Sequence, residues 1–170
     1  MTYLGTNLSP IEYYLNHSKD YVNPHYQGIL EIISKFKQYL VGRILDLGCG
    51  DGLASSIIKS NCIGSDNSPE MLKRYIKETG NKGFLKEFWE EQPKCNSIVA
   101  CYSLHLCPIS RISMVSYRLL QTETNNIVII TPFKNNPTLL SSMFEEVDQA
   151  QAFVPGKNKR IYGKVLKRKY

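Results

Sequence analysis

No apolar stretch in this chain approaches the roughly 18 residues that a membrane-spanning helix requires. The N-terminus has no basic region leading into an apolar run, so no secretory leader is read there. The five cysteines, Cys49, Cys62, Cys95, Cys101 and Cys107, form an odd set without a C-x-x-C pair. With only three histidines, His17, His25 and His105, they suggest neither a disulfide framework nor a zinc site. Reduced thiols in a cytoplasm, or a nucleus, are the expectation. Repeats, linkers and low-complexity segments are also missing. A length of 170 residues at 42% hydrophobic content therefore points to one domain with one core, 1–170.

Acids are missing from one segment. Residues 157–169 carry Lys157, Lys159, Arg160, Lys164, Lys167, Arg168 and Lys169 and no carboxylate, which accounts for much of the net charge of +6. A basic patch raises nucleic acid as a partner. Lysines on the open edge of a terminal strand explain the same residues without any partner, and this is the preferred reading. No membrane partner is expected, and oligomeric state is not legible.

What is present is organised around Arg43-Ile44-Leu45-Asp46-Leu47-Gly48-Cys49-Gly50-Asp51-Gly52. An apolar run short enough for a buried parallel strand breaks into three alternating glycines, and the helical segment Leu53–Lys59 follows at once. Strand, glycine turn and helix in that order make a cradle for a nucleotide-like ligand at the carboxyl end of a strand. A dinucleotide fingerprint is excluded by spacing, because its third glycine position, counted from Gly48, falls on Leu53.

The remaining pattern alternates strands and helices. Strands are expected at 61–65, 83–86, 97–101 and 126–131, with two last strands near 152–154 and 160–165. Helices are expected from Ser9-Pro10, from Asn23-Pro24 with an apolar face of Ile29, Ile32, Ile33, Phe36 and Leu40, from Ser68-Pro69, over Ile112–Leu119, and around 139–147. The fold class is thus α/β: a Rossmann-like, seven-stranded, mostly parallel sheet with helices on both faces and an antiparallel C-terminal hairpin. Asp66 ends the second strand 18 residues beyond Gly48, placed to accept hydrogen bonds from both ribose hydroxyls of a nucleoside.

The form D-x-G-x-G-x-G resembles motif I of the class I S-adenosylmethionine (SAM)-dependent methyltransferases, and Asp66-Asn67-Ser68-Pro69-Glu70-Met71-Leu72 resembles their second motif. The resemblance implies SAM as cofactor, with Asp46, Gly48, Cys49, Gly50, Asp66 and Asn67 around it. It implies adenine contacts from Glu87 and Phe88, with Trp89 close behind, an aromatic packing on the sheet edge being the alternative. It also implies that residues past the fourth strand, Cys101-Tyr102-Ser103-Leu104, flank the departing methyl group. An Asn or Asp with two prolines and an aromatic, found there in enzymes that methylate amino groups of DNA bases or protein glutamine, is absent, so that group is disfavoured. Residues 1–40 stand where such enzymes often carry a helical lid, leaving 41–170 as the SAM-binding core. In that lid Tyr21 or His25 would reach the methionine end; a capped turn with a surface histidine is the alternative.

Three further stretches, Tyr-Val-Asn-Pro-His, Ser-Leu-His-Leu-Cys and Thr-Pro-Phe-Lys-Asn-Asn-Pro, resemble a group of small eukaryotic and viral-type methyltransferases. Phe133 departs from that group, where a histidine is expected. The reaction expected is transfer of the sulfonium methyl to an unidentified acceptor, small molecule or RNA, with no metal and no second cofactor. His105, the only histidine on the catalytic edge, is the candidate base, the alternative being a packed or capping residue. Tyr102 is the candidate to orient the acceptor. A catalytically silent SAM-binding domain acting as a partner or regulator is the alternative to an enzyme, and an NAD-dependent oxidoreductase is a distant third.

Overall fold

The computed structural model describes residues 23–134 and 139–170. Among them, seven strands form one sheet: β1 (Ile44–Leu47), β2 (Cys62–Asp66), β3 (Gly83–Leu85), β4 (Ser97–Cys101), β5 (Asn126–Thr131), β6 (Phe144–Phe153) and β7 (Arg160–Arg168). The order is β3-β2-β1-β4-β5-β7-β6, parallel through β5 and antiparallel for the last two. Strand order reverses between β1 and β4, the topological switch point beyond whose carboxyl ends ligands settle in open α/β sheets.

Alternate residues of the central strands serve opposite faces, as the period of two requires. Ile44, Val99, Val128 and Ile130 pack on one side with α1 (Tyr26–Lys35) and α2 (Leu53–Ile58). Leu45, Leu47, Ile98, Ala100, Ile127 and Ile129 pack on the other with α4 (Ile112–Gln121). Helix α3 (Pro69–Thr79) begins as its sequence promises: Ser68 Oγ accepts from Met71 N–H, and Pro69 fills the first turn. In α1, Ile29, Ile32 and Ile33 are buried, and Phe36 just beyond is completely so. Each such side chain contributes about 1.5–3 kcal/mol. Of the segment expected to be a lid, 23–40 is described, and its helix is a layer of the core against β6 and β7. The helix start at Ser9-Pro10, and the rest of that lid, lie outside the described residues.

Three expectations need correction. The helix around 139–147 is not formed; β6 runs from Phe144 to Phe153, pairing with β7 along its length. A bulge between Glu146 and Asp148 shifts the register, so Phe144 faces the α4 side while Ala150 and Ala152 face the α1 side. That reversal breaks the alternation by which a strand is recognised. The final hairpin is accordingly longer than 152–154 and 160–165. Finally, the helix after Asn23-Pro24 starts at Tyr26, because Asn23 Oδ1 accepts from His25 N–H and shapes a turn before the helix.

Candidate active site

Turning from β1 into α2, the chain passes Gly48, Gly50 and Gly52 at φ of +69, +53 and +91, values glycine adopts without steric cost. Ser65 O on β2 accepts from both Gly48 and Cys49 N–H, at 2.7 and 3.0 Å. Two of these glycines have different neighbours. A Cβ on Gly48 would lie 2.4 Å from Ser103 Cβ, whereas a Cβ on Gly50 would meet nothing within 4 Å. Gly48 is packed against the end of β4; Gly50 faces open space above the strand ends.

Asp66 closes this loop from the end of β2. Its Oδ2 accepts from Gly50 N–H at 2.9 Å, and its Oδ1 accepts from Ser68 N–H at 2.8 Å. A carboxylate has about four acceptor sites, so each oxygen keeps capacity for one further donor, two in all.

Behind the loop, Asp46 is 1% exposed, and its Oδ2 accepts from Ser55 N–H and Ser55 Oγ–H at 3.2 and 2.7 Å. The Ser55 hydroxyl is 3.0 Å from Tyr75 OH. Because Ser55 has spent its proton on Asp46, Tyr75 is the donor in that pair. Burial pushes the Asp46 carboxyl up to about 7; the Ser55 hydrogen bonds pull it down, and Asp51 and Asp66 add to the rise. Burial also raises the thiols of Cys49 and Cys101 far above the usual range, so both are neutral and neither is a nucleophile.

The adenine-side candidates come together through their hydrogen bonds. Asn67 Nδ2 donates to Glu87 Oε2 at 3.2 Å, and Glu87 N–H donates to Glu90 Oε2 at 2.6 Å. The Phe88 ring stands beside Gly48, with Cε1 3.1 Å from a Cβ built there. The Arg111 guanidinium stacks over the Trp89 ring at 5.2 Å, and Trp89 packs with Phe88 on the same core cluster. Gln92 has no sequence signal, yet it ties this segment to β2. Its Oε1 accepts from Ser65 Oγ–H at 2.8 Å and its Nε2 donates to Glu87 O at 2.7 Å.

Beyond β4 the chain bends at Tyr102, whose φ of +55 is unusual for an aromatic residue. Tyr102 N–H donates to Ile130 O on β5 at 2.8 Å, and Ser103 Oγ–H donates to Leu47 O on β1 at 2.6 Å. A run of rings follows from that bend. His25 and Tyr102 have ring centres 5.4 Å apart, Tyr102 and His105 6.3 Å, and His105 and Phe133 5.5 Å. The Nδ1 atoms of His25 and His105 are buried with no hydrogen-bond partner among the described residues. Burial lowers the pKa of His105; burial and the charges of Lys157 and Lys159 lower that of His25. Both imidazoles are therefore neutral near pH 7. Tyr21 lies outside the described residues. Phe133 entered the sequence reading only as a departure; neighbours in the fold put it in the ring cluster.

No family model matches the sequence, and no curated protein matches it. Solved structures do match. Magnesium protoporphyrin IX methyltransferase (ChlM) from Synechocystis PCC 6803, with bound SAM, superposes with a TM-score of 0.69 at 13% identity, over 92% of this chain and 89% of that one. The N-methyltransferase NodS from Bradyrhizobium japonicum WM9 gives 0.64 at 13%, over 85% and 94%. A TehB-like SAM-dependent methyltransferase from Corynebacterium glutamicum gives 0.62 at 14%, over 92% and 94%. The chain has the class I SAM-dependent methyltransferase fold.

In this methyltransferase fold the basic C-terminal segment is divided. Tyr162 of β7 pairs with Thr131 at the carboxyl end of β5, so the preceding turn, with Lys157 and Lys159, lies at the site edge of the sheet. Lys167, by contrast, pairs with Asn126 at the start of β5, and Glu145 stands opposite it on β6. Among the described residues no group of three His, Cys, Asp or Glu side chains is arranged to hold a metal ion. No helix of the described residues is long and apolar enough to cross a membrane.

Proposed function

We propose that this chain transfers the sulfonium methyl group of SAM to an acceptor held beside Tyr102 and His105. The observation that carries this reading is the paired geometry of Gly50 and Asp66. At Gly50 a Cβ would stand in open space with nothing within 4 Å, and its N–H anchors a carboxylate with acceptor capacity to spare. A nucleoside fits that pair: two ribose hydroxyls for the Asp66 oxygens, and backbone without side chain where the ligand approaches. Phe88, beside Gly48, and the bonded pair Asn67 and Glu87 would line the adenine side. Cys101, Tyr102 and His25 would border the methionine end. Asp46, already bonded by Ser55, holds the loop from behind.

When bound, SAM supplies a methyl group on a positively charged sulfur, a leaving group that needs no activation. The chain's own part is then mainly positioning, worth about 7–11 kcal/mol in well-aligned cases. His105 is neutral and half-buried, in the state that accepts a proton from an acceptor, a contribution of roughly 10² to 10⁴ in rate. Tyr102 orients the acceptor. The raised thiols argue against a cysteine-bound route.

The test begins with calorimetric titration of SAM into the chain and into Asp66→Ala. A micromolar affinity reduced at least about 30-fold, or about 2 kcal/mol, in a folded variant supports the reading; equal affinities overturn it. A labelled-SAM screen against metabolite and RNA fractions then looks for transfer. Binding without labelled product from any fraction would leave the silent, partner-type domain in place of the enzyme.

A further inference from the structure

The rings at the end of β4 lie close to a small cationic turn. Lys157 N–H donates to Val154 O at 3.1 Å and Val154 N–H donates to Lys159 O at 2.9 Å, so the turn between β6 and β7 is closed on itself. Gly156, at φ +71, makes that turn. Lys157 and Lys159 are exposed, and neither has a carboxylate partner among the described residues. Both are close enough for their charges to act on His25. Arg160 is committed elsewhere, stacked on Phe153 at 4.9 Å and bonded to Gln151. Across the site, Phe133 is 55% exposed, its ring against His105, with its N–H held by Thr131 Oγ1 at 3.2 Å. The acids Asp46, Asp51, Asp66 and Glu87 all stand on the β1–β3 half. Lys157 and Lys159 are thus cations beside the rings, while Asp51, Asp66 and Glu87 stand on the nucleoside half together with Lys86, whose N–H donates to Asp66 O at 2.9 Å.

We infer that the methyl acceptor is a small planar molecule with an anionic substituent, its ring against Phe133 and Tyr102 and its anion between Lys157 and Lys159. This inference rests on the methyl-transfer reading and names the substrate class for it. Aromatic rings accept a flat ligand by stacking. The neutral imidazoles of His25 and His105 extend the same run of rings on either side of Tyr102. Two unpaired ammonium groups attract a single phosphate or carboxylate. The size of the acceptor follows from where the other cations are. From Arg160 to Arg168, β7 spans about 26 Å at about 3.3 Å per residue, so Lys167, Arg168 and Lys169 lie some three Debye lengths away. A long polyanion needs a continuous basic track; this edge offers charge for one or two phosphates.

Phenyl phosphate, benzoate and phenol are the probes, titrated into the full chain saturated with S-adenosylhomocysteine and followed by amide NMR shifts. Phenyl phosphate and benzoate should shift Tyr102 and Phe133 and bind at least about tenfold more tightly than phenol, or about 1.4 kcal/mol. The double change Lys157→Gln with Lys159→Gln should remove that advantage. Phe133→Ala should weaken phenyl phosphate while leaving inorganic phosphate unchanged. S-adenosylhomocysteine affinity and amide dispersion in each variant report folding and the cofactor site separately. No binding of S-adenosylhomocysteine by the unmodified chain would sink the methyl-transfer reading itself. Binding of it, with phenol equal to phenyl phosphate or with no effect of the lysine changes, would overturn this inference alone. So would an RNA of about ten nucleotides that binds more tightly than AMP with a salt slope of about −3.5 or steeper, the signature of about five phosphate contacts.

Discussion

Asp46→Asn is the most quantitative probe of the loop. The carboxyl is buried, and its pKa is raised from 3.8 to about 7. A folded-state value above the unfolded one means that the native chain keeps this proton over a range where the unfolded chain has lost it. The stability associated with this group is thus fully present below about pH 4. It is lost as pH rises from about 4 to about 7 and stays lost above. A rise of about 3 units at about 1.36 kcal/mol each makes the full effect about 4 kcal/mol. Asparagine keeps an oxygen for the Ser55 donors but cannot ionise, so its stability should carry none of this slope.

Urea unfolding of both proteins from pH 4.5 to 8 measures the difference, and every other titrating group cancels to first order. Relative to the parent, Asp46→Asn should gain stability steadily with pH, by about 1.4 kcal/mol per unit up to neutrality. Parallel profiles would refute the argument, because they would mean that burial does not perturb this carboxyl. The same pair of proteins tests whether Asp46 also meets the ammonium of SAM. A nearby cation favours the ionised carboxylate, so SAM affinity of the parent would rise through pH 7 while that of the variant stayed level.

Gly50→Val places a branched side chain in the open space of the loop at φ +53. It should cost about 1–2 kcal/mol of stability and abolish calorimetric SAM binding; measurable binding would put the cofactor elsewhere. Gly48→Ala should destabilise the fold by about 1–3 kcal/mol in denaturant titration, since its Cβ meets Ser103 Cβ at 2.4 Å, and an unchanged midpoint would refute this. Replacing Lys167, Arg168 and Lys169 with glutamine should leave SAM and phenyl phosphate titrations unaltered, because these residues lie at the far end of β7. Loss of a salt-sensitive RNA affinity in that triple variant would revive the nucleic-acid reading.

The central strands were legible because burial on both faces makes them short apolar runs. β4 and β5 begin and end where the runs do, and β2 begins one residue late. Ser68-Pro69 was legible because a cap and a first-turn proline are local chemistry. β6 was not, because its alternation reverses at the bulge by Val147 and much of its outer face is polar. Contacts across the sequence were also hidden. Ser55 reaches Asp46 over nine residues and Gln92 reaches Ser65 over 27, and no pattern in either segment announces the partner. Phe133 joins the ring cluster only because β5 ends beside β4, a fact of topology rather than of motif.

That same topology explains how the two halves of the candidate site are held together. Ser103 follows Tyr102 directly, and its hydroxyl bonds Leu47 O while its Cβ fills the space a side chain on Gly48 would take. The glycine turn and the ring cluster are therefore packed on a common point at the switch between β1 and β4. The left-handed backbone of Tyr102 is strained by roughly 1 kcal/mol or more. Its neighbours offset that cost: Tyr102 N–H is held by Ile130 O, and Ser103 is pinned to β1. Relaxing Tyr102 to an ordinary strand conformation would break both bonds and separate the rings from the loop. The strain is thus the local consequence of turning the chain sharply enough to bring the ring cluster beside the glycine turn, the closeness that the proposed methyl transfer would use.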